Sequence, residues 1–182
     1  AESNYKAINT IQLSDAYVSA LKAYATNPYH PFNQEAEWQA HNDKAVKTLV
    51  AEYKPNINAN SFKSNANDKA TTVDANNLTT EQMTELSLYA SDLLNQIRER
   101  FGTPKTVVTK GMVKVADEVT DGYVADNWGF GKGHDSKAVN NVARKYGLPT
   151  YEDDTHQYLE NLNSSNNGDK IHTMDDAKKW VH

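Results

Sequence analysis

The chain has no cysteine among its 182 residues. This absence excludes disulfides, a cysteine nucleophile and zinc sites held by cysteine thiolates. It fits a cytosolic protein and equally a Gram-positive secreted protein that folds without disulfides. The sequence also has no apolar run near the ~18 residues typical of a membrane-spanning helix, and no signal peptide is visible. We therefore expect no membrane insertion, and a chain that is either cytosolic or already processed.

A surplus of basic charge is also missing. Lysine and arginine total 19 against 24 aspartates and glutamates, which gives a net charge of -5 with histidine neutral. Binding to nucleic acid or to an anionic membrane surface depends on clustered positive charge. The composition therefore predicts no nucleic-acid partner.

Helix-period patterns divide the chain into three parts. Ser14 can cap a first helix, and a second helix is predicted from about Gln34 to Tyr53, where Pro55 blocks continuation. Residues 55–78 are rich in Asn, Asp and Ser, a composition typical of a connection. We predict an N-terminal helical segment at 1–54, a polar linker at 55–78 and a domain at 79–182.

The predicted domain opens with the most regular helical pattern of the chain. Thr79 and Gln82 have the spacing of a capping box, and apolar residues at helical spacing follow. Residues 105–108 are a short strand candidate. Further helices are predicted to open at Thr109, at Asp135 or Ser136, and at Thr173. The last of these is only beginning where the sequence ends, a pattern typical of a domain that continues further.

His134 is the first candidate for chemistry. It follows three alternating glycines at positions 129, 131 and 133, which let backbone pack closely around it. A neutral imidazole binds zinc, and its pKa lies near neutrality, so His134 can act as a metal ligand or a general base. The alternative is a loop histidine that caps the next helix, because one histidine alone does not make a site.

Glu160 is the best partner for His134. It lies between leucines, which would hold its carboxylate in place to bind a metal or to orient an imidazole. An exposed surface glutamate is the alternative. We predict a catalytic or metal-binding pair of His134 and Glu160, with zinc as the metal and with Glu152 and His156 as alternative ligands.

Other motifs are incomplete. The alternating glycines resemble a phosphate loop only superficially, because no Gly-Lys-Ser/Thr follows them. Neither Gly-x-Ser-x-Gly nor His-Glu-x-x-His occurs. The acidic run at 152–154 lacks the spacing of a calcium-binding helix-loop-helix motif. Tyr123, Trp128 and Phe130 precede His134 as an aromatic cluster that is either core or the wall of a ligand cleft.

Several short motifs follow one another in a fixed order. They are Leu93-Leu94-Asn95-Gln96-Ile97-Arg98, Val115-Ala116-Asp117-Glu118-Val119, Ala125-Asp126-Asn127-Trp128, Gly133-His134-Asp135, Ala143-Arg144-Lys145-Tyr146-Gly147-Leu148 and Leu159-Glu160-Asn161-Leu162. In this order they resemble a CAP domain (the cysteine-rich secretory, antigen 5 and pathogenesis-related superfamily). More narrowly, they resemble the surface-exclusion (PgrA-type) proteins of Gram-positive cell walls. The resemblance covers about residues 77–182.

The resemblance implies an α+β fold, an α-β-α sandwich with a surface cleft. CAP proteins commonly line this cleft with two histidines and two acidic residues, which bind zinc in some members. His134 matches the first histidine and Glu160 the first glutamate, with Glu152 as the runner-up. The second histidine and acidic residue follow a later helix and strand that this sequence does not contain. The resemblance therefore implies an incomplete tetrad and a sheet short of strands.

Three functions follow as alternatives. The first is a cell-surface interaction module of a Gram-positive wall protein, extracellular and wall-associated, which acts in surface exclusion, adhesion or aggregation on a protein or cell-surface ligand. The second is a metal-dependent hydrolase or peptidase that uses His134 and Glu160. The third is a carrier of an apolar ligand, with Tyr123, Trp128 and Phe130 lining the cleft.

Overall fold

Helices are the main regular structure in the described part of this protein, joined by turns and irregular connections. The computed structural model describes residues 4–129, 131–162 and 168–182. Over these residues the chain forms seven α-helices and one 3-10 helix, Gly168–Lys170. The α-helices are α1 (Asp15–Ala25), α2 (Glu35–Ala59), α3 (Ala66–Ala70), α4 (Thr80–Arg100), α5 (Lys110–Ala125), α6 (Ser136–Lys145) and α7 (Met174–Val181). None of these described helices is long and apolar enough to cross a membrane.

The predicted α+β sandwich is wrong. The described part of the chain has essentially no strands, and its one β-bridge joins Thr72 to Thr173. The strand candidate at 105–108 is an extended connection instead. Thr106 N–H donates to Asn95 Oδ1 (2.6 Å), and Asn95 Nδ2 donates to the Thr106 carbonyl (3.0 Å). A side chain of α4 thus satisfies the backbone groups that a neighbouring strand would otherwise pair.

The chain divides into two compact units that do not follow chain order. The first contains residues 1–64, 89–107 and 182, and the second contains residues 65–88 and 108–181. Helix α4 therefore contributes its first nine residues to the second unit and the rest to the first. Each unit is described separately below.

In the first unit, α1 packs against α2. Ser14 caps α1 as predicted, because its hydroxyl accepts the Tyr17 N–H. Val18 and Ala20 of α1 and Ala45 of α2 are buried. Buried Asn9 adds a polar contact, since its side chain donates to the Tyr89 hydroxyl (3.0 Å) on α4.

The prediction that Pro55 ends α2 is wrong, because the helix continues to Ala59. Proline removes one helical N–H, so other contacts must hold the last turn. Ser14 N–H donates to Asn56 Oδ1 (2.8 Å), and Gln12 N–H donates to Asn60 Oδ1 (2.6 Å). The Asn60 amide returns a hydrogen bond to the Gln12 carbonyl (2.6 Å). The segment before α1 thus fixes the end of α2, which local sequence patterns do not reveal.

In the second unit, α5 and α6 enclose the hydrophobic core next to the candidate site. Its buried residues are Val115, Val119, Val139 and Val142, and Tyr123, Tyr146, Leu148 and Leu159 pack around them. The two helices approach closely at Gly122, where an added Cβ would lie 2.8 Å from the Ala138 Cβ. The small residue at 122 therefore sets the spacing of the two helices that carry the site.

A buried ion pair holds α7 within the same unit. Lys178 Nζ lies 2.8 Å from Asp68 Oδ2 and 2.8 Å from Glu85 Oε1. The Lys178 and Asp68 side chains are only 9% and 12% exposed, so solvent screens their attraction weakly. Residues from α3, α4 and α7 are therefore joined by charge as well as by packing.

Candidate functional site

The end of α5 places Asp126 and Trp128 at a surface cleft. Asn127 adopts a left-handed conformation (φ 47°), which asparagine tolerates better than most residues. Trp128 N–H then donates to the Tyr123 carbonyl (2.9 Å), and Asn127 N–H donates to the Val124 carbonyl (3.1 Å). These two bonds form a Schellman motif with asparagine in the usual place of glycine. The motif reverses the chain and leads it towards α6.

The start of α6 is fixed by Asp135, one of the two predicted caps. Asp135 Oδ1 accepts the Ala138 N–H (3.1 Å), and the Asp135 residue is 1% exposed. His134 comes immediately before this cap, so its backbone is anchored although its side chain is 41% exposed. Trp128 Nε1 donates to the Gly133 carbonyl (3.0 Å) and braces the same segment.

His134 and Glu160 meet in the structure. Glu160 Oε2 lies 2.7 Å from His134 Nδ1 and 2.6 Å from the Tyr123 hydroxyl, which donates to it. The same hydroxyl accepts the Asp135 N–H (2.8 Å). One carboxylate oxygen therefore orients the imidazole and is itself held by a tyrosine of α5. This leaves His134 Nε2 without a hydrogen bond to any described residue.

Glu160 is positioned by its own segment and by the core. Its N–H donates to Gln157 Oε1 (2.6 Å), and Gln157 Nε2 donates to the Glu160 carbonyl (2.9 Å). Its neighbour Leu159 packs on the α5–α6 core. Asn140 of α6 is fully buried and donates to the His156 carbonyl (2.8 Å), which ties the preceding loop to the helix. The Glu160 side chain is accordingly only 16% exposed.

The environment shifts two pKa values at the site. Burial, together with donation to the Glu160 carboxylate, raises the pKa of Tyr123 to about 12. The hydroxyl therefore stays protonated and remains a donor at neutral pH. Burial also raises the pKa of Asp135, and the neighbouring Asp126 carboxyl raises it further, against the opposing effect of the Ala138 N–H.

The cleft beside this network has a volume of about 470 Å³, and most of the residues that line it are polar or charged. His134, Asp135 and Trp128 contribute to it, together with Asp126, Lys137 and Asp154. Lys132 Nζ lies 5.4 Å from the centre of the Trp128 ring, so one face of this ring already accepts a cation. The arrangement favours a polar ligand that makes hydrogen bonds or carries charge.

Among the described residues, the alternative ligands Glu152 and His156 make no hydrogen bond or ion pair with His134 or Glu160. Glu152 is exposed. His156 Nδ1 lies 2.7 Å from the Thr155 hydroxyl and 3.5 Å from Asp153 Oδ1. Phe130, predicted as a cleft wall, lies outside the described residues. Of the predicted aromatic wall, Trp128 lines the cleft, while the Tyr123 ring packs on the core and sends its hydroxyl to Glu160.

Among the described residues, the predicted pair of His134 and Glu160 has fewer donors than a zinc site uses. Structural and catalytic zinc sites use at least three protein ligands. In the described ranges, no group of three or more histidine, cysteine, aspartate or glutamate side chains could hold a metal ion. His134 and Glu160 are hydrogen-bonded to each other, which is the arrangement of an imidazole with its orienting carboxylate.

The sequence interpretation missed two parts of the site. It placed Tyr123 in the core or in a cleft wall, and did not predict that the hydroxyl of this residue joins Glu160 to the start of α6. It also overlooked Asp126 and the second oxygen of Asp135. The Asn-Trp pair after α5 and the Asp after His134 were the available signals, since asparagine can end a helix and aspartate can begin one.

Comparison with protein-family models found no match, and neither curated proteins nor solved structures gave one.

Proposed function

We propose that this chain is a cell-surface interaction module of a Gram-positive wall protein, which binds a protein partner through the cleft beside His134. Its role would be in surface exclusion, adhesion or aggregation, as the resemblance to the surface-exclusion (PgrA-type) proteins implies. The observation that supports binding at this cleft is the fixed imidazole. His134 is held at Nδ1 by Glu160, and its side chain is 41% exposed.

A fixed side chain favours recognition because little conformational entropy is lost when it binds. The rotamer of His134 is set by Glu160, and the position of Glu160 is set by Tyr123 and Gln157. A ligand therefore meets a preorganised hydrogen-bonding group beside the aromatic ring of Trp128. Rigid aromatic and polar groups of this kind recur at protein interfaces.

The test is saturable binding of the labelled chain to Gram-positive cells, measured by flow cytometry with unlabelled chain as competitor. We expect His134→Ala and Glu160→Gln to weaken binding strongly. His172→Ala is the matched control, because His172 is exposed and does not line the cleft. Binding that is absent, or that is equally strong in His134→Ala, would contradict the proposal.

A second candidate function is hydrolysis with His134 as the general base. One observation favours it: the 2.7 Å contact between Nδ1 and Glu160 is the base-and-orienter half of a nucleophile–base–orienter arrangement. A peptidase would cleave fluorogenic peptides and lose this activity in His134→Ala but not in His172→Ala. A calorimetric zinc titration of the chain and of His134→Ala tests the zinc prediction separately.

A carrier of apolar ligands finds less support in the geometry. Trp128 is the one apolar residue among those that line the cleft. The Tyr123 hydroxyl is engaged by Glu160, and Lys132 lies over the Trp128 ring. An apolar ligand would desolvate these groups without offering them hydrogen bonds, which costs free energy.

A further inference from the structure

Three charged side chains of the second unit meet at one nitrogen atom. Lys178 Nζ of α7 lies 2.8 Å from Asp68 Oδ2 of α3 and 2.8 Å from Glu85 Oε1 of α4. The side chains of Lys178 and Asp68 are 9% and 12% exposed, whereas that of Glu85 is 41% exposed. None of the three lines the cleft beside His134. A primary amine, a carboxyl group and a second carboxylate therefore converge at a separate place in the fold.

Backbone hydrogen bonds hold the end of α3 beside the start of α7. Val73 N–H donates to the His172 carbonyl, and Met174 N–H donates to the Thr71 carbonyl, each at 2.9 Å. These bonds join the segment that follows α3 to the segment that leads into α7. The carboxyl group on one helix and the amine on the other therefore have little freedom to separate.

The carboxyl group of Asp68 is also fixed within its own helix. Asn65 Oδ1 accepts the Asp68 N–H (2.8 Å), and Asn65 Nδ2 donates to Asp68 Oδ2 (2.7 Å). Because a C–O bond is about 1.2 Å long, the 2.8 Å contact places Lys178 Nζ at most about 4 Å from Asp68 Cγ. Atoms poised to react lie about 3–3.5 Å apart, so a small movement brings the nitrogen to this carbon.

The second carboxylate is more than an ion pair requires. The single positive charge of Lys178 is balanced by Asp68 alone, and Glu85 adds a negative charge that repels the first carboxylate. In a condensation reaction the extra carboxylate has a function. It carries a proton from the nitrogen to the departing oxygen, while the other carboxyl group supplies the carbon that is attacked.

We propose that Lys178 and Asp68 become joined by an isopeptide bond within the folded chain, with Glu85 as the proton carrier. Lys178 first passes a proton to Asp68 Oδ2 along their hydrogen bond, which gives a neutral amine and a carboxylic acid. The amine nitrogen then attacks Asp68 Cγ. Glu85 takes a second proton from this nitrogen and gives it to the Oδ2 hydroxyl, which leaves as water. One C–N bond replaces one C–O bond, and no oxidant, reductant or co-reactant is needed.

Burial and proximity both favour the condensation. The first proton transfer removes two opposite charges from a poorly solvated position, where charge is costly. Groups held in a reactive geometry behave as if present at about 10⁵–10⁸ M, which opposes the excess of water that hydrolyses a bond between free partners. The product ties together two positions that are 110 residues apart.

The test is the intact mass of the purified 182-residue chain under denaturing conditions. We expect the measured mass to be lower than the sequence mass by one water molecule. Trypsin cleaves after lysine only when the amine is free. Digestion should therefore yield one branched peptide that joins the segments around Asp68 and Lys178, with no cleavage after Lys178.

The variants separate the three roles. In Asp68→Asn ammonia leaves instead of water, so its cross-linked product should have the same mass as the cross-linked parent. Lys178→Arg keeps the charge but should show its full sequence mass. Glu85→Gln should form the bond at least about a hundredfold more slowly, because general acid–base catalysis contributes about 10²–10⁴-fold. Lys179→Arg, at the exposed neighbouring position, is the matched control and should retain the loss of water.

Circular dichroism checks that each variant is folded. A folded parent chain that keeps its full sequence mass after days at neutral pH would refute the isopeptide bond. So would a loss of water that persists in Lys178→Arg, or one found in an unbranched peptide, as a succinimide would give. Equal rates of bond formation in the parent and in Glu85→Gln would remove Glu85 from the reaction. These outcomes are independent of the cell-binding test of the His134 cleft.

Discussion

At the scale of single residues, the Tyr123 hydroxyl has a double role. It donates to the Glu160 carboxylate and accepts the N–H of Asp135, the N-cap residue of α6. It therefore links the carboxylate that orients His134 to the start of α6. Each of these contacts lies within 2.8 Å. The orientation of the imidazole therefore depends on a residue that does not line the cleft.

Replacing Tyr123 by phenylalanine removes one oxygen and keeps the ring on the core. We expect the free energy of unfolding to fall by about 1–3 kcal/mol, because the Asp135 N–H and the Glu160 carboxylate each lose a partner. Urea denaturation near neutral pH measures this loss. Tyr24→Phe, at an exposed position of α1, is the control and should leave the unfolding free energy unchanged.

The raised pKa of Tyr123 also predicts an alkaline dependence of stability. The pKa is about 12 in the folded chain and about 10 in the unfolded chain, so the unfolded chain loses the proton first. The stabilisation is complete below pH ~10 and is lost as pH rises towards ~12. Unfolding free energies measured across this range should show a weaker decline in Tyr123→Phe than in the parent chain. Parallel declines would show that Tyr123 titrates normally.

Residue patterns predicted that His134 and Glu160 are partners, but they did not predict the hydrogen bond from Tyr123 that holds Glu160. His134 and Glu160 were paired from residue type and from the apolar neighbours of Glu160, and the structure places them in contact. Their role as a catalytic or metal-binding pair stays a prediction. The tyrosine bond could not be predicted, because Tyr123 and Glu160 are 37 positions apart and only the packing of α5 brings them together.

At the scale of elements, the approach of α5 to α6 depends on Gly122. Alanine there gains up to about 1 kcal/mol of helix propensity. Its Cβ would lie 2.8 Å from that of Ala138, and overpacking of this kind costs about 1–3 kcal/mol. We expect Gly122→Ala to lower the melting temperature. Gly111→Ala in the same helix meets only Thr109 Oγ1 at 3.9 Å and should raise it or leave it unchanged.

Helix α2 offers a second element-scale prediction. Since the helix passes through Pro55, alanine at this position restores an N–H that can donate to the Ala51 carbonyl. Proline in a helix interior costs about 3 kcal/mol, so we expect Pro55→Ala to stabilise the chain by about 1–3 kcal/mol. Chemical denaturation gives the value. Pro104→Ala, in the extended connection after α4, should give no gain, and a loss at position 55 would argue that the helix ends there.

Helix boundaries were predicted well where a local cap decides them. Thr79 and Gln82 exchange the two hydrogen bonds of a capping box, each 3.1 Å long, and Thr109 accepts the Met112 N–H. Gly147 ends α6 with a positive φ of 66°. Predictions failed where distant contacts decide the outcome, as at Pro55 and at 105–108. The sheet was expected from the resemblance and not from the residues, which show one short strand candidate.

At the scale of the whole molecule, Lys178 joins segments far apart in the chain. Its ammonium contacts Asp68 and Glu85, 110 and 93 positions away. No sequence pattern predicts such a pair, since each residue alone is typical of a helix surface. Because the pair is buried, it affects stability strongly: removing one partner leaves the other charge in a poorly solvated position.

We expect Lys178→Met to lower the free energy of unfolding by about 3–5 kcal/mol, as found for buried pairs that lose one member. Lys179→Met is the control at the neighbouring exposed position and should change the value by less than about 0.5 kcal/mol. Guanidinium denaturation of both variants measures the difference. Equal effects at 178 and 179 would show that the contact with Asp68 contributes little.

The His134 network also has a kinetic consequence, because all its members come from one short stretch of chain. The bonded pairs are separated by 12, 26 and 37 positions, against 85 or more for several contacts of the first unit. The entropy of loop closure rises only slowly with length, but low contact order is associated with rapid folding. Amide exchange during refolding should therefore show protection at Asp135 and Glu160 before it appears at Ala7 and Ile11.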